Sequence, residues 1–207
     1  IGSNLSNIAL ILGISALICP LLPKLRFIQR EVPFMLMTSA LFFPLAWMGG
    51  VGRIEGIILL ILLFGYIRYV YTKSKLEDTG DDDYTRRINR TYGKMSLALL
   101  GLIVGIALLS GGAHSLIEGA VILANRFNIP EKVVGLTLVA LSTSLPELAS
   151  CVVAAMHKET DIILGNIVGS NIFNILGIMG TTAVICPFSI HMQNIIIDLS
   201  VMMAISF

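Results

Sequence analysis

The chain has 207 residues, of which 56% are hydrophobic and only 13% are charged, and its mean hydropathy is +0.88. Charged residues make up about a quarter of an average soluble domain, so a soluble domain of this length would lack the charges that its surface needs. The formal net charge of +1 argues against a nucleic-acid partner, which requires a basic face. This composition is typical of a protein that crosses a membrane several times.

Apolar runs of spanning length follow one another along the chain. A membrane-spanning helix needs about 20 mostly apolar residues, and such runs lie at residues 1–21, 32–50, 54–72, 95–123, 131–156 and 160–187, with a further run beginning near residue 195. A polar stretch at 73–94 separates the third run from the fourth. The sequence therefore predicts three parts, which are a first group of three membrane helices (1–72), a linker (73–94) and a second group with three membrane helices and the start of a fourth (95–207).

The distribution of positive charge predicts the orientation of these runs. If the linker 73–94 lies inside the cell, all but three of the 14 Lys and Arg residues lie on the inner side; the three exceptions are Arg53, Arg126 and Lys132. We therefore expect a multi-pass protein of the cell (inner) membrane with a cytoplasmic linker, and residue 1 on the outer face.

A segment near the start of the chain recurs at an offset of 167 residues. Residues 2–8 (GSNLSNI) match residues 169–175 (GSNIFNI), and Cys19-Pro20 matches Cys186-Pro187; in all, eleven of the first 20 positions are identical. The two copies belong to the first and sixth runs, which cross the membrane in opposite directions. The sequence therefore predicts an inverted repeat, which places a substrate site near the bilayer midplane between interrupted helices.

The repeat also gives an expectation about the whole protein. The second unit begins near residue 95, whereas the first begins only at the equivalent of residue 168, so symmetry predicts roughly 70 further residues before Ile1. By the same symmetry, a second carboxylate that matches Glu147 would lie about 20 residues before Ile1. We therefore expect the 207 residues by themselves not to transport an ion.

A proline interrupts the fifth run at its centre, in the sequence STSLPE at residues 142–147. Pro146 lacks a backbone N–H and disfavours helical structure at Leu145. The carbonyl groups freed by this break, from Ala140 to Thr143, are then available to a cation.

Glu147 is a carboxylate at membrane depth in this run. Placing one there costs about 2.5–3.5 kcal/mol on insertion scales, which favours a functional role over a structural pair. Thr143 and Ser144 precede it by four and three residues, so all three would share one face of a continuing helix.

The sixth run carries a polar stripe in which Asn166, Ser170 and Asn174 recur every four residues. Ser170 and Asn174 would offer oxygen atoms to the same ion as Glu147, with Ser3 as a matching donor from the other repeat. Asn7 would be a further donor from that repeat. Hard cations such as Ca²⁺ take six to eight oxygen ligands.

The alternative for this stripe is that its side chains join helices. Gly165 and Gly169 form a G-x-x-x-G pair in the same run, which favours the close approach of a second helix. Both interpretations stay open from the sequence.

The fourth run contains His114 and Glu118, four residues apart on one helical face. They would either line a path for ions or pair with each other. Ser110 lies four residues before His114, but a nucleophile and a base on one helix without an oxyanion site do not make a hydrolase. We therefore expect no enzyme activity and no cofactor.

The motif Ser144-Leu145-Pro146-Glu147 resembles part of the second alpha-repeat of the calcium/cation antiporters. It is preceded by GLT at residues 135–137 and followed by GNIVGSN at residues 165–171, and residues 2–20 resemble the end of the first alpha-repeat. The resemblance covers nearly the whole chain and is closest to the prokaryotic sodium/calcium exchangers. It implies an all-α, multi-spanning fold with ten helices in two inverted halves, of which this chain would hold about six or seven.

The resemblance also implies the residues of a cation site. Glu147 matches the central ligand of Ca²⁺ and Na⁺ in the family, and the other matching ligands are Thr143, Ser144, the Ala140 carbonyl, Ser170, Asn174, Ser3 and Asn7. Two positions depart from the family pattern. Ser142 replaces a common glycine, and Asn174 stands where many members have Asp.

The implied function is exchange of Ca²⁺ for Na⁺ by alternating access, with competition of the two ions for one site. Exchange coupled to H⁺ or dependent on K⁺ is an alternative, because branches of the family use these ions. A cation channel and a structural membrane protein are weaker alternatives. The expected partners are the transported ions and membrane lipid, with no nucleic acid and no protein partner.

Overall fold

The computed structural model describes residues 1–23, 25–77, 95–127, 140–190 and 192–206. Within these ranges the fold is helical, with one short pair of strands. The helices are α1 (Gly2–Ile18), α2 (Leu25–Ala40), α3 (Phe42–Trp47), α4 (Arg53–Glu77), α5 (Met95–Arg126), α6 (Ala140–Thr143), α7 (Leu145–Met156), α8 (Thr160–Ile185) and α9 (Met192–Ser206), and the strands are β1 (Gly50–Val51) and β2 (Phe188–Ser189).

Within the described residues the apolar runs form helices, and three of these helices are long and apolar enough to span a membrane. They are α4, α5 and α8, whereas α1, α7 and α9 form shorter apolar helices. Large apolar side chains on α4 and α5 are more than half exposed, among them Ile61, Ile103 and Leu108. This exposure suits helices whose outer faces contact lipid.

Two predicted boundaries differ from the structure. Helix α2 begins at Leu25, although the apolar run begins at 32, and α4 continues to Glu77, five residues into the predicted linker. Helix α2 contacts α4 at two points, because the hydroxyl of Tyr66 on α4 donates a hydrogen bond to the carboxylate of Glu31, and the ring of Phe34 stacks on Tyr66 with centroids 4.4 Å apart. The rest of the predicted linker, 78–94, lies outside the described residues.

The predicted break in the fifth run is present, but it falls one residue earlier than expected. Helix α6 ends at Thr143, Ser144 has φ −97° and ψ 0°, and α7 begins at Leu145. Pro146 therefore lies in the first turn of α7, where its missing N–H would have no helical partner in any case. The first part of this run, residues 131–139, lies outside the described residues.

Helices α1 and α8 share their local geometry, as the repeat predicts. Each contains one π-helical segment, Ser6–Ile11 in α1 and Asn174–Met179 in α8. Each also ends at an extended cysteine, and the N–H groups of Cys19 and Cys186 bond to carbonyls 167 residues apart. A π-helical turn is rare and is found mostly at functional sites, so its recurrence singles out these two helices.

Helices α4 and α8 approach each other closely at two glycines. A Cβ atom at Gly56 would lie 2.8 Å from the carbonyl oxygen of Gly180, and one at Gly180 would lie 3.1 Å from the carbonyl oxygen of Gly56. At Gly165 and Gly169, no described atom beyond the local helix backbone lies within 4 Å of such a Cβ. Gly180 therefore contacts α4 closely, whereas no described helix approaches Gly165 or Gly169 to the same degree.

Two apolar clusters hold these helices together. The larger lies around Ile172, Ile175 and Leu176 of α8 and includes residues of α2, α3, α4 and α9. The smaller joins α1 to α7 and α8 through residues such as Ile11 and Cys151. Helix α8 belongs to both clusters, so it connects the two sides of the site described next.

Candidate cation site

Four of the predicted site residues line a single cavity of about 500 Å³. They are Ser3 from α1, Thr143 from the end of α6, Glu147 from the first turn of α7 and Asn174 from the π-helical segment of α8. The remaining wall is mostly apolar and includes Phe42, Ile178, Phe188, Ile190 and Ile195. An apolar cavity with a few convergent polar groups is the usual form of a binding site.

The two-residue ladder between β1 and β2 anchors one side of this wall. Gly50 pairs with Ser189, and Val51 pairs with Phe188. Gly49 precedes the ladder with φ +84°, a conformation that suits glycine. The ladder thus fixes Phe188 beside the cavity.

Glu147 supplies the carboxylate of the cavity. Its side chain is half-buried, and Oε2 is shielded from solvent without a hydrogen-bond partner among the described residues. A buried polar atom left in this state costs about 1–3 kcal/mol, and more when it is charged. A bound cation would remove this cost by coordinating the oxygen.

The break at Ser144 separates side chains that were predicted to share one helical face. Thr143 and Glu147 line the cavity together, whereas Ser144 is 1% exposed and its Oγ lies 3.0 Å from Oγ of Ser3. The prediction of a continuing helical face is therefore wrong for Ser144, because the turn directs its hydroxyl towards α1.

Asn174 and Ser3 are joined across the two helices. The side-chain amide of Asn174 donates to Oγ of Ser3 at 3.2 Å and to Oδ1 of Asn4 at 2.9 Å. Both amide N–H groups therefore bond to α1. Ser3 connects this network to the break through its contact with Ser144.

Asn7 makes the matching contacts in the opposite direction. Its amide donates to Oγ of Ser170 at 2.9 Å and to Oδ1 of Asn171 at 3.0 Å. Asn7 is fully buried, and its Oδ1 has no hydrogen-bond partner among the described residues. Each of these two bonds is the equivalent of an Asn174 bond at an offset of 167 residues.

Not every predicted ligand faces the cavity. Asn7 and Ser170 lie in the network behind it, and Ala140 is the first residue of α6. The role of the Ala140 carbonyl as a ligand stays a prediction. So does the ligand role of every other side chain in the set.

Two further polar contacts bear on the alternatives left open by the sequence. Asn166 donates to Oγ of Ser150 at 2.8 Å, and that hydroxyl donates to the Glu147 carbonyl at 2.9 Å, so Asn166 joins α8 to α7.

His114 and Glu118 lie 3.3 Å apart on α5 with 74% and 66% of their side chains exposed. The structure thus shows them as a pair, and neither lines the cavity around Glu147.

Asn4 and Asn171 are the polar residues that the sequence interpretation missed. They are 1% and 0% exposed, and they accept the hydrogen bonds that join the two helices. The repeat contained the available signal, because Asn4 matches Asn171 at the offset of 167 residues.

The atoms at this site that could ligate a cation are oxygen atoms. Among the described residues, no group of three or more His, Cys, Asp or Glu side chains is placed to hold a metal ion. The cavity instead combines one carboxylate with hydroxyl and amide groups, which are ligands for hard cations such as Ca²⁺ and Na⁺.

Comparison with known sequences identifies the family. The sequence pattern described as "Sodium/calcium exchanger protein" matches residues 1–72 and 97–207. The chain belongs to the sodium/calcium exchanger protein family. The predicted resemblance to prokaryotic members of the calcium/cation antiporter superfamily is thereby confirmed.

Several relatives match the chain along its whole length. It is 36% identical to the inner membrane protein YrbG of Escherichia coli over 210 residues, and 33% identical to the putative antiporter CaxA of Alkalimonas amylolytica over 207 residues. These alignments cover 100% and 99% of the chain but 65% of each relative. The chain therefore spans a little under two thirds of the length of these exchanger-family proteins.

Solved structures show the same fold. The sodium/calcium exchanger from Methanococcus jannaschii superposes with a TM-score of 0.74 at 29% identity, covering 100% of this chain and 63% of that one. The same exchanger soaked with 10 mM Na⁺ and zero Ca²⁺ gives a TM-score of 0.71 at 31% identity. The chain thus has the all-α exchanger fold in part, and it is a multi-pass membrane protein; the cytoplasmic position of residues 73–94 stays a prediction.

Proposed function

We propose that this protein exchanges Ca²⁺ for Na⁺ across a membrane and holds the two ions in turn at the site around Glu147. The observation that carries the proposal is the buried, unpartnered Oε2 of Glu147, next to a helix break and in one cavity with Ser3, Thr143 and Asn174. The names of its relatives support the choice of ions, since one is called sodium/calcium exchanger MaX1, at 28% identity.

Competition for one set of oxygen atoms would couple the two ions. Ca²⁺ and Na⁺ both bind hard oxygen ligands, so a site filled by one ion has no ligands left for the other. An uncompensated charge at membrane depth is costly, and bound Ca²⁺ or Na⁺ would offset the negative charges of Glu147 and of the second carboxylate that the repeat predicts. The loaded protein would therefore switch between its two open sides more easily than the empty protein, which links the movement of one ion to that of the other.

Hydrogen bonds between α1 and α8 connect the polar residues of the site across the two halves of the repeat. Bonds from Asn174 to α1 and from Asn7 to α8 make the polar groups of the site one unit. A cation bound by that unit would contact both halves of the repeat, as alternating access about a fixed site requires.

The test is uptake of ⁴⁵Ca²⁺ into membrane vesicles from cells that express the full-length protein. We expect an outward Na⁺ gradient to drive uptake, and we expect an ionophore that collapses this gradient to abolish it. Uptake driven by an H⁺ gradient and indifferent to Na⁺ would contradict the choice of Na⁺ and favour Ca²⁺/H⁺ exchange. Uptake that needs K⁺ together with Na⁺ would identify the K⁺-dependent alternative.

A second measurement separates an exchanger from a channel. In vesicles loaded with unlabelled Ca²⁺, an exchanger accumulates external ⁴⁵Ca²⁺ transiently by counterflow, because each outward step returns a site that binds label. A channel equilibrates the label without such an overshoot. Absence of counterflow, together with a flux indifferent to Na⁺, would exclude the proposed exchange.

A further inference from the structure

Asn4 on α1 and Asn171 on α8 lie behind the cation site and do not line its cavity. Both side chains are buried, and neither residue is among the ligands that the family resemblance implies. A buried amide is unfavourable unless its polar atoms are hydrogen-bonded. The bonds that these two residues make therefore bear on why asparagine stands at each position.

The side-chain amide of Asn174 donates two hydrogen bonds to α1. One goes to Oδ1 of Asn4 at 2.9 Å, and the other goes to Oγ of Ser3 at 3.2 Å. A primary amide has two N–H groups and one carbonyl oxygen. Because α1 takes both N–H groups, the oxygen is the polar atom of Asn174 that remains for the cavity it lines.

Asn171 accepts the equivalent hydrogen bond in the other copy of the repeat. The side-chain amide of Asn7 donates to Oδ1 of Asn171 at 3.0 Å and to Oγ of Ser170 at 2.9 Å. The oxygen that remains on Asn7 is buried and has no hydrogen-bond partner among the described residues. The two amides are therefore oriented by the same device at positions related by the repeat.

Further hydrogen bonds fix the orientation of the side-chain amides of Asn4 and Asn171. The N–H₂ group of Asn4 donates to the backbone carbonyl of Asn171 at 3.3 Å, and that of Asn171 donates to Sδ of Met35 at 3.6 Å. A reversed Asn4 would present N–H groups to those of Asn174. Asn174 would then turn its oxygen towards Asn4 and its N–H₂ group towards the cavity, where a cation is repelled.

We propose that Asn4 and Asn171 are positioning residues, in that Asn4 directs the amide oxygen of Asn174 into the cavity and Asn171 leaves the buried amide oxygen of Asn7 without a hydrogen bond and so available to the transported cation. The inference rests on the proposed function, because it takes Asn7 and Asn174 as ligands. Asn4 and Asn171 act only through these partners and do not contact the ion. Their effect on cation affinity must therefore disappear when the partner amide is absent.

A double-mutant cycle on the purified protein tests this dependence, with equilibrium ⁴⁵Ca²⁺ binding as the measurement. Removal of a residue that orients a metal ligand weakens metal affinity about 10–100-fold, and we expect a loss in this range for Asn171→Leu. In an Asn7→Ala background the same substitution should change the affinity less than about twofold, because coupled residues are not additive. In an Asn174→Ala background, where Asn7 is intact, the full loss should remain.

A second, independent double-mutant cycle uses Asn4, the residue that matches Asn171 in the repeat. Asn4→Leu should lose its effect in the Asn174→Ala background and keep it in the Asn7→Ala background. Asn171→Asp retains the accepting oxygen, and we expect it to bind Ca²⁺ at least as tightly as the unaltered protein. If a leucine variant does not yield folded protein, serine at the same position is used, because its shorter hydroxyl does not reach the partner amide.

Additive losses in all four double variants would overturn the positioning role and leave a general structural role for the two asparagines. Glu147→Gln, measured in parallel, separates this failure from failure of the proposed function. If Glu147→Gln abolishes Ca²⁺ binding while the cycles are additive, only the positioning role is wrong. If Glu147→Gln binds Ca²⁺ like the unaltered protein, the cation site is wrong and the positioning role falls with it.

Discussion

Helices α1 and α8 carry the same motif and the same local geometry, yet their matched residues differ in burial. Ile11 and Ser15 on α1 are both 0% exposed, because α7 covers this part of the helix. Their equivalents on α8, Ile178 and Thr182, are exposed, with Ile178 at 52%, and both line the cavity. The repeat therefore determines the geometry and hydrogen bonds of the two helices, whereas the counterpart of α7 that would cover this face of α8 is not among the described residues.

The hydrogen bonds at the polar crossing, where α1 and α8 meet, follow the repeat more closely than the apolar contacts of these two helices do. Bonds from Asn7 and Asn174 recur as equivalents with lengths of 2.9 to 3.2 Å. Changes at this crossing should affect ion binding from either helix. Changes on the apolar faces should affect folding on one helix and not on the other.

The largest expected effect on transport is at Glu147, whose equivalent is not among the described residues. Glu147→Gln keeps the size of the side chain and removes its charge, and we expect Na⁺-driven Ca²⁺ uptake to fall at least about 100-fold, which corresponds to roughly 2.7 kcal/mol. Glu118→Gln is the control, since Glu118 is exposed on α5 and pairs with His114. Uptake at the unaltered rate in Glu147→Gln would remove Glu147 from the site.

The apolar faces differ most at Ile11 and Ile178. Ile11→Ala should lower the free energy of unfolding by about 2–5 kcal/mol, because it opens a cavity in a packed cluster. Ile178→Ala should lower it by less than about 1 kcal/mol, since half of the side chain is exposed. Denaturation of the purified protein measures both values. An equal loss at Ile178 would show that residues outside the described ranges cover that face.

Gly13 and Gly180 are a third matched pair. A Cβ at Gly180 would lie within 3.2 Å of atoms of α4, whereas no described atom lies within 4 Å of one at Gly13. Gly180→Ala should therefore cost about 1–3 kcal/mol in stability through overpacking. Gly13→Ala should be neutral or should stabilise the helix by up to about 1 kcal/mol. Thermal unfolding of the two variants side by side checks the difference, and a reversed order would contradict the packing of α4 on α8.

A smaller expected effect on transport concerns Asn174, where many family members have Asp. Asn174→Asp adds a negative charge beside Glu147, and we expect it to shift the apparent affinities for Ca²⁺ and Na⁺ by about tenfold or less, or up to 1.4 kcal/mol, without unfolding the protein. Concentration dependence of ⁴⁵Ca²⁺ uptake at two Na⁺ concentrations measures the shift. If both dependences stay unchanged, Asn174 joins the helices and does not bind the ion.

Local sequence patterns predicted much of this fold, because membrane helices need long apolar runs and the repeat is visible as identical letters. Long-range contacts set the details that differed. Glu31, for example, accepts a hydrogen bond from Tyr66, 35 residues further along the chain, and no local pattern predicts that pair. The pattern around Gly165 and Gly169 showed where a helix could approach, but only the structure shows α4 packing at Gly180.

The candidate site divides in the same way. The proline break and the lone carboxylate identified Thr143 and Glu147, which do line one cavity. Ser144 was misplaced because its direction depends on which residue of the break leaves the helix. The roles of Asn4 and Asn171 depend on which atom of a buried amide faces a helix 167 residues away, and no spacing rule gives that orientation.

Competition between the two ions at Glu147 is the central claim, and equilibrium binding of ⁴⁵Ca²⁺ to the purified protein at rising Na⁺ concentrations tests it most directly. A shared site predicts that Na⁺ raises the apparent Kd for Ca²⁺ without changing the number of ions bound at saturation, and that Glu147→Gln binds no Ca²⁺. A fall in the number of bound ions at unchanged Kd, or intact binding in Glu147→Gln, would contradict a single site shared by the two ions.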